Sequence, residues 1–420
     1  MNPPSETESL LEHLFRHQAG RLVARLARLL GPAHLDLAEE AVQEAMLRAL
    51  QTWPYQGVPE NAAGWLFRVA HNAAIDAVRR HQVLGRKTDA IVAELSRSAA
   101  TSLHETDLEG QLRDDELRMI FMCCHPEISR DSSVALSLKT VGGFSVREIA
   151  RAFLSDDAAI AQRLVRAKSQ IRRRQLTLDM PRGSELMLRL ESVLDVLYFM
   201  FNEGYTAHEG ADLIRRDLCF EAVRLGRLVA LSSIGTPRVH ALVALMAFQA
   251  ARFPARIDAT GDLVLLEFQD QSRWDQKLIG LGFHHFDQCM AGDEVSEYHV
   301  QAAIAATYAR APDPQSIEWP VILHLFDQHL SINDSPVVAL NRAVVVAKVH
   351  GPAKALAVVE PLQASPKLRD YYLLPAVRGH LLLDLGRCEE AAACFRTALE
   401  CRCSEPERRF LRRKLADCAR

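Results

Sequence analysis

Apolar residues recur at helical spacing from Leu10 to Arg80, thin out between Gln82 and Gly110, return from Leu112 to Leu176, and resume beyond Pro181-Arg182-Gly183. This pattern predicts three helical blocks, over residues 9–81, 112–176 and 184–420, with a tether over 82–111. No segment alternates apolar and polar residues between hairpin signals, and Ala, Leu and Arg are abundant throughout. The expected fold class is therefore all-α.

In the first block, Asp36 to Leu50 forms an amphipathic helix whose polar side collects Glu39, Glu40, Gln43 and Glu44. A second helix, Gly64 to Arg80, turns Leu66, Val69, Ile75 and Val78 toward a core and leaves Asn72, Asp76, Arg79 and Arg80 on the remaining surface. The tether carries Ser96, Ser98, Thr101 and Ser102 among mixed charges.

The sharpest local signal lies in the second block. Ser145-Val146-Arg147-Glu148 reads as a reciprocal cap opening a short helix through Phe153. Ser155 is placed to cap a second helix from Asp156 to about Arg173, with Ile160, Leu164, Val165 and Ile171 toward a core. Two helices joined by so short a turn describe a helix-turn-helix. Its second helix carries Arg163, Arg166 and Lys168, then Arg172, Arg173 and Arg174, a charge pattern suited to phosphates and guanine edges. Asp156 and Asp157 are expected to act as helix-end charges.

The third block begins with an apolar helix closing on Phe201-Asn202-Glu203-Gly204-Tyr205, where Gly204 suits a left-handed cap. Near the end, Gly386, Ala391, Phe395 and Ala398 fall at the spacing of a tetratricopeptide helix pair, and an imperfect upstream unit, Leu340 to Leu362, turns at Gly351-Pro352. A tetratricopeptide-like region over about 336–402 follows, with Asn341, Arg342, Tyr371, Tyr372 and Arg378 as candidates to line its concave side.

Charge and composition narrow the function. A formal net charge of −3 argues against a protein that coats nucleic acid indiscriminately, while permitting a local basic face. Arg16, Arg21, Arg25 and Arg28 leave the first thirty residues without a continuous apolar stretch, and no later run is long enough to span a bilayer, so a soluble, cytoplasmic protein is expected. Nine cysteines without repeating spacing fit reduced thiols. Neither Cys123-Cys124-His125 nor Cys401-Arg402-Cys403 has zinc-finger spacing, so no metal or other cofactor is expected. His284-His285, His324 and His329, with Glu267, Asp287 and Glu294, lack a metalloprotease spacing, which argues against a hydrolase.

The acidic, Gln-bearing helix, the Trp65-Leu66-x-x-Val69-Ala70-x-Asn72-x-x-x-Asp76-x-x-Arg79-Arg80 helix and the later Glu148-Ile149-Ala150 helix-turn-helix, in that order, resemble regions 2 and 4 of the RNA polymerase sigma factors. With only a tether between them, they are similar to the minimal extracytoplasmic-function group. Ala159-Ile160-Ala161-Gln162-Arg163-Leu164-Val165-Arg166-Ala167-Lys168 is similar to that group's recognition-helix pattern, with Ala and Gln in place of its Thr and Ser.

The resemblance implies that Asp36, Glu39, Glu40, Gln43 and Glu44 dock on core RNA polymerase. It further implies that Asn72, Asp76, Arg79 and Arg80 contact the −10 promoter element, and Gln162, Arg163, Arg166 and Lys168 the −35 element. Phe201 to Tyr205, the Leu213-Ile214-Arg215-Arg216 string and Cys123-Cys124-His125-Pro126 resemble the subgroup often called ECF forty-two, whose extension ends in tetratricopeptide-like helices. The resemblance implies control by that fused extension through an intramolecular contact with the DNA-reading blocks, and no enzymatic activity of the chain itself. A helix-turn-helix regulator with a repeat-type effector domain explains residues 112–420 equally well, but leaves the first block unexplained.

Overall fold

The structure is a computed structural model that describes residues 6–80, 105–153, 155–205, 216–258, 262–401 and 403–419; within its helices the side chains of 6–17, Arg80, 105–113 and 151–152 are outside the description. The described residues are helical without strands, as the hydrophobic periodicity predicts, apart from one isolated bridge between Ile257 and Leu263. The chain divides into two compact units, one ending at Phe199 and the other beginning at Met200.

The first unit opens with α1 (Glu6–Leu30), α2 (Leu35–Gln56) and α3 (Ala62–Arg80), which pack on one another. Alternate turns of α2 bury Leu35, Ala38, Ala41, Val42, Ala45, Ala49 and Trp53. Small Ala residues at four of these positions let neighbouring backbones come close, while Trp53 closes the end edge-on to Trp65 at 5.5 Å between ring centroids. Trp65 is thus part of the packing, as its position beside Leu66 and Phe67 predicts. On α3 the core positions are Leu66, Phe67, Ala70, His71, Ala73, Ala74 and Val78, whereas Val69 and Ile75 are only half-buried.

The remainder of this unit comprises α4 (Glu105–Cys123), α5 (Arg130–Thr140), α6 (Val146–Ala152), α7 (Asp157–Arg174) and most of α8 (Ser184–Tyr205). The second block begins earlier than the periodicity predicts, because 105–111, read as tether, form the first turns of α4; positions 82–104 of that tether lie outside the described residues. The apolar pattern misses this start because α4 is held partly by buried charge. Asp115 and Glu116 are almost completely buried, and α4 lies along α1, where Arg25, Arg28 and Arg21 meet those carboxylates. Buried carboxylates are tolerated only with such partners. At the same junction α1 passes so close to the turn after α5 that a Cβ on Gly20 would lie 1.9 Å from the Val141 carbonyl oxygen.

Cys123 and Cys124, at the end of α4, are fully buried against α5. Cys123 Sγ lies 3.3 Å from Thr140 Oγ1, and Cys124 Sγ lies 3.7 Å from Ser137 Oγ. Burial pushes the Cys123 thiol up to about 12 and raises Cys124 further, so both behave as small core side chains.

The second unit contains α9 (Arg216–Ala230), α10 (Pro237–Ala251), α11 (Gln276–Cys289), α12 (Glu297–Arg310), α13 (Trp319–Ile332), α14 (Pro336–His350), α15 (Pro352–Val359), α16 (Leu373–Asp384), α17 (Cys388–Glu400) and α18 (Glu405–Asp417). From α12 onward each helix packs on the next, and one continuous core runs from Val300 through Leu340, Leu356 and Leu382 to Phe395 and Leu411. The turns at Gly351 and Gly386 have φ of 87° and 74°. Ala391, Phe395 and Ala398 are buried, and so is Ala355 despite its imperfect register.

Gly204 departs from the expected left-handed cap. It is helical and buried inside the last turn of α8, and Leu213-Ile214-Arg215 lie outside the described residues. In place of a glycine cap, the end of α8 is held by Arg256, which stacks 3.9 Å over the Tyr205 ring and donates to the Tyr205 carbonyl at 2.8 Å.

Candidate nucleic-acid interface

The helix-turn-helix is built by local caps. Ser145 N donates to Glu148 Oε2 at 2.7 Å, and Glu148 N donates to Ser145 Oγ at 3.2 Å, the reciprocal pairing its sequence predicts. The second cap is Asp156, not Ser155. Asp156 accepts from Ala159 N at 2.7 Å and has the extended backbone of an N-cap, while the Ser155 amide donates to the Ala150 carbonyl at the end of the preceding helix. Asp157 occupies the first turn, so both aspartates complement the helix dipole. The helix ends where Gln175 enters the left-handed region at φ 52°.

Ile160, Leu164, Ala167 and Ile171 bury one side of α7. Val165 does not join them. It is 61% exposed, between exposed Gln162 and Arg166, and its spacing from Ile160 and Leu164 turns it to the outer face. Arg163 is half-buried, with its guanidinium 5.8 Å from the centre of the Phe153 ring.

Lys168 points elsewhere. Its Nζ lies 2.7 Å from Asp36 Oδ1 and 3.0 Å from Glu39 Oε2, and Arg172 Nη1 lies 3.3 Å from Asp36 Oδ2. Burial alone would lower the ammonium's pKa, but Glu39 and Asp36 outweigh that effect and raise it above the ordinary lysine value. The four predicted −35 residues are therefore not presented together: Gln162 and Arg166 are exposed, Arg163 packs on Phe153, and Lys168 is held by α2.

On α2, Glu40 and Gln43 are exposed, Glu44 pairs with Arg48 one turn on, and Asp36 and Glu39 meet α7. On α3, Asn72, Asp76 and Arg79 recur at four and three positions apart and are exposed as one stripe; the Arg80 side chain lies outside the described residues. Asn61 accepts from Gly64 N at 2.7 Å and caps this helix.

In the second unit, the suggested concave-side residues separate. Asn341 lines a cavity of about 290 Å³ with Val344, Lys348, Val377 and Phe395, whereas Arg378 borders a different one of about 350 Å³. Arg342 pairs with Asp327 at 2.6 Å, and the Tyr372 hydroxyl donates to Glu407. The histidines and carboxylates weighed against a hydrolase are likewise dispersed: Glu267 pairs with Lys348, His329 faces Glu297 at 3.6 Å, and His285 meets His240 at 2.8 Å. No helix among the described residues is long and apolar enough to cross a membrane.

Residues 14–83, which contain α2, α3 and the greater part of α1, match the Sigma-70 region 2 family, and residues 189–290 match a family of unknown function, DUF6596. The uncharacterized protein R00370 of Rhizobium meliloti (strain 1021) is 40% identical over 387 residues, covering 91% of this chain and 90% of its own length. No solved structure matches. The chain belongs to one family with this R. meliloti protein, and it carries a sigma-70 region 2 domain near its N-terminus followed by a DUF6596 domain.

Proposed function

We propose that the chain is a sigma factor of the extracytoplasmic-function type that binds core RNA polymerase, recognises −10 and −35 promoter elements and starts transcription. The observation that carries the reading is the combination, in one compact unit, of the region 2 match over α1–α3 and a doubly capped helix-turn-helix with an Arg-rich second helix.

In this reading Asp36, Glu39, Glu40, Gln43 and Glu44 form the polymerase-docking face, where carboxylates and an amide meet basic side chains. Asn72, Asp76, Arg79 and Arg80 read the −10 element, whose non-template strand must be unpaired for a base to leave the stack. Asn72 supplies a base-edge contact, and the arginines steer phosphates. Gln162, Arg163, Arg166 and Lys168 read the −35 element, to which the exposed Val165 adds an apolar contact. The polymerase performs the chemistry; this chain contributes differential binding to melted DNA and works in the cytoplasm without a cofactor.

Residues 184–420 form a regulatory extension of the ECF forty-two type, tetratricopeptide-like over about 336–402, that controls the DNA-reading blocks by intramolecular contact. Support comes from the repeat spacing of the Gly351 and Gly386 turns.

Run-off transcription with core polymerase and DNA upstream of the protein's own operon tests the proposal. A defined start that requires the full chain is expected. The comparison chain should end after Tyr205, because α8 starts in the first unit and its Asp195 pairs with Arg130 at 3.3 Å. DNA binding without polymerase binding would favour the helix-turn-helix regulator, and loss of both by a folded chain would sink the sigma reading.

A further inference from the structure

We propose that the second unit binds a small molecule through a doubly charged oxyanion, phosphate or dicarboxylate, received by the guanidinium groups of Arg252 and Arg256. The site lies wholly in the second unit and stands apart from the sigma reading of the first.

The two arginines flank one short turn. Arg252 follows α10, and Arg256 closes the single 3-10 turn Phe253–Ala255. Arg256 is 7% exposed and Arg252 is half-buried, among buried Ala251, Phe253 and Ala255. Arginine keeps its charge at physiological pH, so withdrawing two of them from water calls for counter-charge.

The protein does not supply it. Arg252 Nε donates to Gln269 Oε1 at 3.2 Å and Nη1 to Gln249 Oε1 at 3.3 Å, both neutral amides. Arg256 Nη1 donates to the Tyr205 carbonyl at 2.8 Å, where the end of α8 offers only the partial charge of a helix C-terminus. The Tyr205 ring 3.9 Å from Arg256 and the Trp274 ring 5.7 Å from Arg252 attract a cation without neutralising it. Among the described residues no carboxylate pairs with either guanidinium. Elsewhere in this unit Arg224 meets Glu221, Arg342 meets Asp327, Arg378 meets Glu360 and Arg409 meets Asp262, so a bare arginine pair is not the habit of the fold. Burial works against the Arg252 charge and so does Arg256, with only Tyr205 and Tyr308 acting the other way.

The donors are also fixed in advance. Gln269 is 3% exposed and turns its oxygen to Arg252 because its Nε2 donates to the Val264 carbonyl at 3.0 Å. Val264 N in turn donates to the Arg256 carbonyl at 2.9 Å. One circuit therefore runs from Arg252 through Gln269 and Val264 to Arg256, and it orients both side chains without using all their donors. Arg252 Nη2 and Arg256 Nε and Nη2 have no partner among the described residues. Tyr308, whose burial pushes its hydroxyl up to about 12, remains a protonated donor beside Arg252. Two positive charges with spare planar donors and no acid are complementary to a dianion whose oxygens accept in pairs.

Thermal unfolding of the full chain tests the site, with inorganic phosphate and malonate each titrated against sodium chloride of equal ionic strength. At least one probe should raise the unfolding temperature saturably, by about 2–4 °C at about tenfold its apparent Kd. Phosphate alone would assign a phosphorylated ligand, and malonate a dicarboxylate. Arg252→Gln should abolish the rise and, without probe, unfold no lower than the unaltered chain, because it removes an uncompensated buried charge. Arg252→Lys keeps the charge without the planar fork and should weaken the response several-fold, which supplies the readout if the glutamine variant does not fold. No saturable rise with either probe would overturn the proposal. So would an equal rise in the unaltered chain and the variants, the result that exclusion of phosphate from the protein surface would give by itself.

Discussion

Arg28 Nη1 lies 2.6 Å from Asp115 Oδ1 across 87 residues of chain, and the carboxylate is wholly withdrawn from solvent. Arg25 takes its other oxygen at 3.0 Å. Removing the carboxylate leaves the largely buried Arg25 guanidinium without it, while Arg28 is 44% exposed and stays solvated, so the cost should fall below the figure of about 3–5 kcal/mol for a fully buried pair. Asp115→Ala should therefore lower the urea midpoint of the first unit sharply, whereas Arg28→Ala should cost less because Arg25 remains. Equal effects of the two substitutions would contradict this account.

The outer face of α7 separates stability from recognition. Arg166 and Val165 are exposed and outside the buried side, so Arg166→Ala and Val165→Ala should each change stability by no more than about 0.5 kcal/mol. Arg166→Ala should weaken promoter binding and, if the guanidinium holds a phosphate, reduce the salt slope by about one. Val165→Ala should weaken discrimination at a thymine with little change in that slope. Titrations of −35 DNA at several salt concentrations distinguish the two.

Polymerase docking should respond to different residues. Glu40→Ala with Gln43→Ala is expected to weaken capture of core polymerase while leaving helix content unchanged, since both side chains are exposed on a helix whose other side is packed. Unaltered capture at physiological salt would remove this face from the docking site.

Acid should weaken the second unit. His285 is buried beside His240, with His284 and Arg227 nearby; burial first, then these neighbours, push its pKa down to about 4 from an ordinary 6.5. The unfolded chain thus binds the extra proton between about pH 6.5 and 4, so stability is full above that window and falls as pH drops through it. At about 1.4 kcal/mol per pH unit the loss amounts to roughly 3 kcal/mol over the whole window, of which about 2 kcal/mol is expected by pH 5. Thermal melts at pH 7.5 and 5 should show it, and His285→Phe should flatten the dependence.

Gly351 offers a test free of contacts. Its φ of 87° and ψ of 162° fall in a region adopted by glycine almost alone, yet a Cβ there would meet nothing within 4 Å. Gly351→Ala should cost about 1–3 kcal/mol from backbone conformation alone. A neutral effect in denaturant unfolding would show that the α14–α15 turn relaxes.

Sequence by itself determined the local architecture. The periodicity of Leu35, Ala38, Val42 and Ala45, the Ser145–Glu148 cap and the glycines at 351 and 386 act within a few residues and were legible without coordinates, whereas the early start of α4, the Asp156 cap and the helical Gly204 were not. The exposed stripe of Asn72, Asp76 and Arg79 follows from the same short-range geometry.

Tertiary structure decided what depends on residues far apart in the chain. Lys168 and Arg166 carry like charges two positions apart, but only the docking of α7 on α2 gives one of them Asp36 and Glu39 as partners and leaves the other in solvent. Asp115 and Glu116 look like surface carboxylates until α1 places arginines against them, and Gly20 looks like a mere weakness in a helix until Val141 lies where its side chain would be. Hydrophobic patterning reports which side of a helix leaves water. Which charge that side or its edge then meets is set by a partner helix that no local pattern specifies.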